Sequence, residues 1–319
     1  QGFFDGLGRA LLSRTHSTFQ LTLVLVGLCF FGSMFITNDV SLLTFVPFTF
    51  VVLSRLGADV RRSLLIPVVC MQTIAANLGS MLTPIGNPQN LYLYGKSGMS
   101  IGGFVLLMLP YTLVSLLLLL AWAALVCRKT SADLSVDELV SSSASQGDQK
   151  IILLYLVLFA VCLLSVIRVL PYGIAFAAVL VCALFADPRT LRTVDYSLLL
   201  TFVAFFIFIG NLGRIPAFSG WLQEFLTGRE VLVAVLASQV TSNVPAALLL
   251  SGFTAETQSL IIGTNLGGLG TLIASMASLI SYRQIARELP QGKKQYFGLF
   301  TLSNLIFLAI LLGVWFLLR

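Results

Sequence analysis

Along this chain, continuous apolar stretches alternate with short polar or basic segments. The predicted apolar elements cover 17–36, 42–53, 63–95, 101–127, 151–168, 171–187, 195–213, 231–253, 257–281 and 296–318. Most approach the ~20 residues that carry a helix across a hydrocarbon core of ~30 Å. Their apolar positions run on without alternation, which excludes the strands of an outer-membrane barrel. Four interruptions punctuate them. Thr37-Asn38-Asp39 opens the first (37–41), and Thr83-Pro84-Ile85-Gly86-Asn87-Pro88-Gln89-Asn90 is the second. Thr241-Ser242-Asn243-Val244-Pro245 is the third, and Gly263-Thr264-Asn265-Leu266-Gly267-Gly268-Leu269-Gly270-Thr271 the fourth. Two prolines and a glycine within eight residues stop any helix at the second.

The interruptions recur in register. Asp5-Gly6-Leu7-Gly8-Arg9 is similar to Gly210-Asn211-Leu212-Gly213-Arg214, and Arg9 to Asn38 and Arg214 to Asn243 are both 29 residues. Asn77-Leu78-Gly79-Ser80-Met81-Leu82-Thr83 aligns with 265–271 at an offset of 188, which Leu91 and Leu279 keep. Two halves with broken segments in matching places predict a repeat-built secondary transporter. The fold expected is an all-α polytopic membrane protein of two inverted repeats, each with a re-entrant helical hairpin and a broken transmembrane helix. Residues 1–127 form the first repeat, the Ser-rich and acidic segment 128–150 a cytoplasmic linker, and 151–319 the second repeat. The second half carries about 60 residues of span before its Gly-Arg element and the first half only four. By this reading the first repeat lacks its opening helices.

Composition agrees with the pattern. Of 319 residues, 57% are apolar and 10% charged, with a mean hydropathy of +0.97. A soluble domain carries about 25% charged residues, so an ordinary soluble enzyme is excluded. The net charge of +6 comes from Lys and Arg between the apolar runs, which points to membrane orientation rather than nucleic acid. If 17–53 and 231–253 each return to the face they left, one side holds 14 Lys and Arg and the other 5. A single crossing by 231–253 gives 11 and 8. The first arrangement fits the positive-inside rule, with the basic loops cytoplasmic. The five cysteines show no CxxC spacing, and His16 is the single histidine. That leaves neither a metal cluster nor a Ser/His or Cys/His catalytic pair to build from.

Non-helical backbone at membrane depth survives only in protein or beside a wet cavity. The four breaks therefore gather the candidate chemistry. Freed carbonyls and helix C-termini suit a cation, while helix N-termini suit an anion. The plainer alternative is that the polar residues cap the broken helices. Asp39 stands between long apolar runs, where a carboxylate is by default a proton carrier or cation ligand; the other reading places it at an aqueous segment end. Val244 takes its place in the second half. Lys96, just past the second break, reads either as a residue of the cavity mouth or as an interfacial lysine.

The elements Thr37-Asn38-Asp39-Val40, Thr241–Pro245, Leu82–Asn90 and Gly263–Thr271 together resemble those of the ion transporter superfamily. That group includes arsenite permeases, D-type sodium/proton antiporters, citrate–metal transporters and divalent-anion:sodium symporters. The Asn-Asp tip and the Thr-Pro-Ile-Gly run are nearer the arsenite permease branch than the Ser-Asn-Thr tips of sodium-coupled dicarboxylate carriers. The resemblance covers the chain from residue 5 onward. It implies a homodimer whose protomers each pair a scaffold with a mobile transport domain, and two cation sites flanking a substrate site. Thr37, Asn38, Asp39, Thr83 and Gly86 would serve the first cation or proton, and Ser242, Asn243, Gly267 and Gly270 the second. Asn38, Asn87, Asn243, Thr271 and Ser275 would face the substrate. The expected protein is an inner-membrane carrier of a small inorganic or organic anion, embedded in lipid, with no nucleic-acid partner. It uses no cofactor apart from a coupling Na⁺ at the hairpin tips if sodium drives it; H⁺ is the other coupling ion. A Na⁺(Li⁺)/H⁺ antiporter is the alternative.

Overall fold

The computed structural model describes residues 15–128, 149–186, 188–191, 194 and 196–319. The Asp5–Arg9 element and nearly all of the 128–150 linker lie outside the described residues. Every regular element among the described residues is a helix. Two compact units divide the chain by contact, one within residues 142–208 and the other within 8–141 and 209–319.

The smaller unit holds α6 (Gln149–Val166), α7 (Tyr172–Ala186), the one-turn α8 (Pro188–Leu191) and most of α9 (Tyr196–Leu212). α6 packs against α7. Their faces stay rich in exposed apolar side chains such as Phe176 and Phe185, as expected of helices whose solvent is lipid.

The larger unit opens with α1 (Thr18–Ile36) and α2 (Asn38–Leu53), joined by Thr37 alone. α3 (Ala58–Ser80), the break 81–87 and α4 (Pro88–Ser97) follow, then α5 (Ile101–Cys127). After α10 (Pro216–Leu226) the pattern returns. α11 (Glu230–Thr241) and α12 (Asn243–Leu250) are joined by Ser242 alone. α13 (Thr257–Leu266), the break 267–275, α14 (Met276–Glu288) and, after a short 3₁₀ turn, α15 (Lys293–Leu318) complete it.

Among the described residues, four single segments are long and apolar enough to cross a membrane: α1, α3, α5 and 290–318. α11 and α12, at 12 and 8 residues, reach only about 18 and 12 Å at 1.5 Å per residue. The core forms around α3, which is buried almost continuously from Leu64 to Ser80. It packs against α1, α2, α5, α14 and α15. Gln72 anchors it to the hairpin, donating from Nε2 to the Leu25 carbonyl at 3.0 Å and to Thr49 Oγ1 at 2.8 Å.

Contacts between the repeating elements are reciprocal. α1 and α2 pack on α3, and α2 also on α14; α11 and α12 pack on α13, and α12 also on α4. Each hairpin thus touches its own half's broken helix and the far piece of the other's. Glycine sets these approaches: a Cβ on Gly79 would overlap the Phe30 carbonyl, and one on Gly267 would sit 2.6 Å from Ser238 Oγ.

The breaks differ in extent from the sequence expectation. The first and third narrow to one residue each, Thr37 and Ser242. The second runs over 81–87, because Pro88 lacks an N–H and fits the first position of α4. The fourth is 267–275 rather than 263–271. Gly263 stays helical, close enough to α11 that a Cβ would meet the Ala234 methyl at 2.7 Å.

Candidate functional site

Thr37 and Ser242 share an uncommon backbone conformation, φ 68°, ψ 155° and φ 72°, ψ 155°. That region is essentially glycine's, and a side chain there costs about 1–3 kcal/mol. The next residue of each tip starts a helix whose first N–H has no partner in its own hairpin. Asn38 N–H donates to the Gly86 carbonyl at 3.1 Å, and Asn243 N–H to the Ala274 carbonyl at 2.9 Å. Gly86 and Ala274 stand 188 residues apart, the register found in the sequence. A second matched pair tightens each joint. Thr83 Oγ1 donates to the Met34 carbonyl at 2.6 Å, and Thr271 Oγ1 to the Gln239 carbonyl at 3.2 Å.

Side-chain bonds then cross between the halves. Asn77 Oδ1 accepts from Asn38 Nδ2 at 3.1 Å and from Ser275 Oγ at 3.0 Å, and its Nδ2 donates to Ser278 Oγ at 3.5 Å. Asn265 Oδ1 accepts from Asn87 Nδ2 at 3.1 Å, and its Nδ2 donates to Asn90 Oδ1 at 2.6 Å. Asn77 and Asn265 match by the offset of 188, as do Asn87 with Ser275 and Asn90 with Ser278. Each broken helix therefore holds the start of the other half's second piece. Asn87 also caps α4, its Oδ1 accepting from Asn90 N–H at 2.9 Å.

The N-termini of α2, α4, α12 and α14 all join this lattice, and so do the C-terminal ends of α1, α3, α11 and α13. Partial positive and partial negative charge are presented side by side at one place. Asp39 sits in the first turn of α2, half-buried, and its N–H donates to Asn38 Oδ1 at 2.9 Å. Its buried Oδ1 has no hydrogen-bond partner among the described residues. Ser242 Oγ lies 3.5 Å from both Asn243 Oδ1 and the Ala274 carbonyl.

Most of the residues singled out in the sequence thus meet. Asn38, Asn87 and Ser275 are buried in the lattice, and Gly86 contributes its carbonyl, with no room for a Cβ against Ser80. Asn243 is buried at the second tip. Thr271 is exposed and turned to Gln239. Gly270 takes φ 111° beside the Gln239 amide, and the Gly267 carbonyl accepts from Gln239 Nε2 at 3.0 Å. Lys96 lies apart from the lattice: it donates to the Ser251 carbonyl, where Tyr92 meets Ser251 Oγ at 2.9 Å. A lysine there complements the C-terminus of α12.

Over residues 1–260 the chain matches the family model described as citrate transporter, CitMHS. The chain belongs to the citrate transporter family. Inner membrane protein YbiR of Escherichia coli is 33% identical over 290 residues, covering 88% of this chain and 74% of the relative. A protein of Methanocaldococcus jannaschii named as uncharacterized transporter MJ0456 is 31% identical over 281 residues, with the same 88% and 74%. A 46 kDa membrane protein of Mycobacterium leprae is 24% identical over 319 residues, 88% of this chain and 72% of that one. As a member of the citrate transporter family the protein is an integral membrane transporter and not an enzyme.

Two glutamines of this family member were not singled out in the sequence. Gln239 joins α11 to the break beyond α13 across about 30 positions, and its only sign is the polar pair Ser238-Gln239 within an apolar run. Gln89 is 1% exposed in the first turn of α4, and neither atom of its amide has a partner among the described residues. Its position inside the Pro-Gln-Asn run was visible, but its burial was not.

Proposed function

We propose that the protein is a secondary active transporter of a small anion or oxyanion, coupled to H⁺ or Na⁺, that works by alternating access around the lattice between its two hairpin tips. The observation that carries this reading is the paired arrest of two strained tips on two broken helices: Asn38 on Gly86 and Asn243 on Ala274, in one register. A carrier needs a site that either half can uncover, and repeat-paired broken helices supply one. Four helix N-termini at that site favour negative charge in the substrate without a buried Lys or Arg. The neighbouring C-terminal ends, with Asp39, suit a cation or proton.

The two halves are read as inverted repeats with re-entrant hairpins. The reciprocal bonds of Asn77 and Asn265 support this, since a two-fold relation requires that if i meets j then j's counterpart meets i's. The short α11 and α12, which together fall short of two crossings, support it too. Asn38, Asn87, Asn243, Thr271 and Ser275 are assigned to the substrate. Thr37, Asn38, Asp39, Thr83 and Gly86 are assigned to the coupling ion at the first tip, and Ser242, Asn243, Gly267 and Gly270 to that at the second tip, so that Asn38 and Asn243 serve both. Assembly as a homodimer rests on the resemblance of the tip and break elements to the ion transporter superfamily. Residence in the inner membrane with cytoplasmic basic loops rests on the charge count and on the YbiR relative.

Uptake into proteoliposomes tests the reading. Labelled citrate, phosphate, sulfate and arsenite are offered under an imposed pH or Na⁺ gradient. At least one is expected to accumulate, and Asn38→Ala and Asn243→Ala to abolish its uptake with folding intact. Uptake retained in both variants removes the site assignment.

A further inference from the structure

Gln239 lies on the last turn of α11, three residues before the strained Ser242. The orientation of its amide is fixed by its partners. Oε1 accepts from Thr271 N–H at 2.9 Å. Nε2 donates to the carbonyls of Val235 at 3.1 Å, Gly267 at 3.0 Å and Leu269 at 2.9 Å. Exchanging O and N would set an acceptor against three acceptors and a donor against a donor. Three carbonyls converging on one point, two of them from unwound backbone, form the all-oxygen cup that holds a small hard cation in broken-helix carriers. In this half an amide nitrogen fills the cup.

The other half is built differently at the same places. The carbonyls in register are those of Phe30, Gly79 and Met81, and the residue in register with Gln239 is Met34. A thioether donates no hydrogen bond. Gly79 O accepts Leu82 N–H at 3.1 Å and Phe30 O accepts Ser33 Oγ at 2.9 Å, both from their own segment. Asn90 Nδ2, from α4, donates to the Thr83 carbonyl at 3.2 Å and reaches the Ser80 and Met81 carbonyls at 3.4 and 3.5 Å, the last two long for hydrogen bonds; it leaves Gly79 and Phe30 aside. This half also carries Asp39, with its unpartnered Oδ1, where the second has Val244. In one half the hairpin carries a carboxylate and no amide donor at the cup; in the other it carries an amide donor at the cup and no carboxylate.

We infer that the Gln239 amide is a built-in stand-in for a coupling cation: the second cup takes no ion, and coupling runs through the first half alone, by at most one cation or proton per cycle. The inference rests on the carrier reading above and narrows it: of the two tips assigned there to a coupling ion, only the first keeps that assignment. Gln239 ties the second tip to its broken helix whether or not an ion is present, so only the first tip answers to ion binding. Gly270 is the residue that admits the amide, since a Cβ there would overlap Oε1.

The test is a count of bound ²²Na⁺ per purified full-length chain at pH 8, with Li⁺ and K⁺ as competitors and thermal unfolding in NaCl against KCl as a parallel readout. Wild type is expected to bind one Na⁺ or none, with a Hill coefficient of about 1 where it binds. Gln239→Glu replaces the donor by an oxygen facing three carbonyls and is expected to bind one Na⁺ more than wild type, with a new Na⁺-dependent rise in unfolding temperature. Two Na⁺ per wild-type chain overturns the inference and leaves the carrier reading standing. A folded Gln239→Glu that binds no more than wild type overturns it as well. Should that variant not fold, the wild-type count decides alone. Failure of the carrier reading registers elsewhere, as absence of anion uptake.

Discussion

Thr37 and Ser242 hold backbone angles that glycine adopts freely and other residues do not. Thr37→Gly and Ser242→Gly are each expected to raise the unfolding temperature, by the equivalent of about 1 kcal/mol once glycine's extra chain entropy is deducted. Differential scanning fluorimetry checks the shift, and an unchanged or lower temperature would show that the tips are not strained. Gln89 makes a second residue-scale case. Burial of an amide with both atoms unpaired costs about 1–3 kcal/mol, so Gln89→Leu is expected to stabilise the protein by that order. If the amide serves a passing ligand, the same variant loses transport. A stabilised variant with full transport makes Gln89 a packing residue only.

At the scale of elements, the joints between halves matter more than any single helix. Asn87 and Asn265 belong to different halves and share one hydrogen bond at 3.1 Å. In a double-mutant cycle of Asn87→Ala and Asn265→Ala, a coupling energy of about 0.5–3 kcal/mol is expected, as for residues in one network. Additive losses would mean that the two halves meet here without depending on each other. Much of this architecture was legible beforehand. The runs at 17–36, 101–127 and 171–187 became helices within a residue or two, because ~20 apolar residues in lipid have little alternative to a helix. Pro84, Gly86 and Pro88 located the second break because their backbone limits are local. Gly263 misled, since a glycine inside a helix and a glycine ending one differ only in what packs against them. The partners of Asn77 and the reach of Gln239 could not be read at all. Hydrogen bonds spanning 28 to 201 residues depend on how helices cross, and one-dimensional pattern carries no crossing angle. The offset of 188 did predict which positions correspond, but not that they would bond across to one another.

At the scale of the whole molecule, two similar halves differ in their tips: Thr-Asn-Asp with Met34 behind it, and Ser-Asn-Val with Gln239 behind it. Asp39 stands on one side alone, whereas the tip asparagines proposed to face the substrate, Asn38 and Asn243, are paired. Asp39→Asn is accordingly expected to uncouple transport from the imposed ion or proton gradient while leaving anion exchange measurable in counterflow. Loss of exchange as well would give Asp39 a role in holding the substrate. The most direct test of the central claim is thermal stability of the purified protein against a panel of anions, each with Na⁺, Li⁺ or K⁺ at two pH values. A ligand that binds the folded state raises its apparent stability by mass action, about 2.7 kcal/mol at a hundredfold excess over Kd. The account predicts stabilisation by at least one anion, strengthened by Na⁺ or by low pH, and absent in Asn38→Ala and Asn243→Ala. Stabilisation by Na⁺ or Li⁺ with no anion effect, lost as the pH falls, would contradict it and make the protein a cation/proton antiporter.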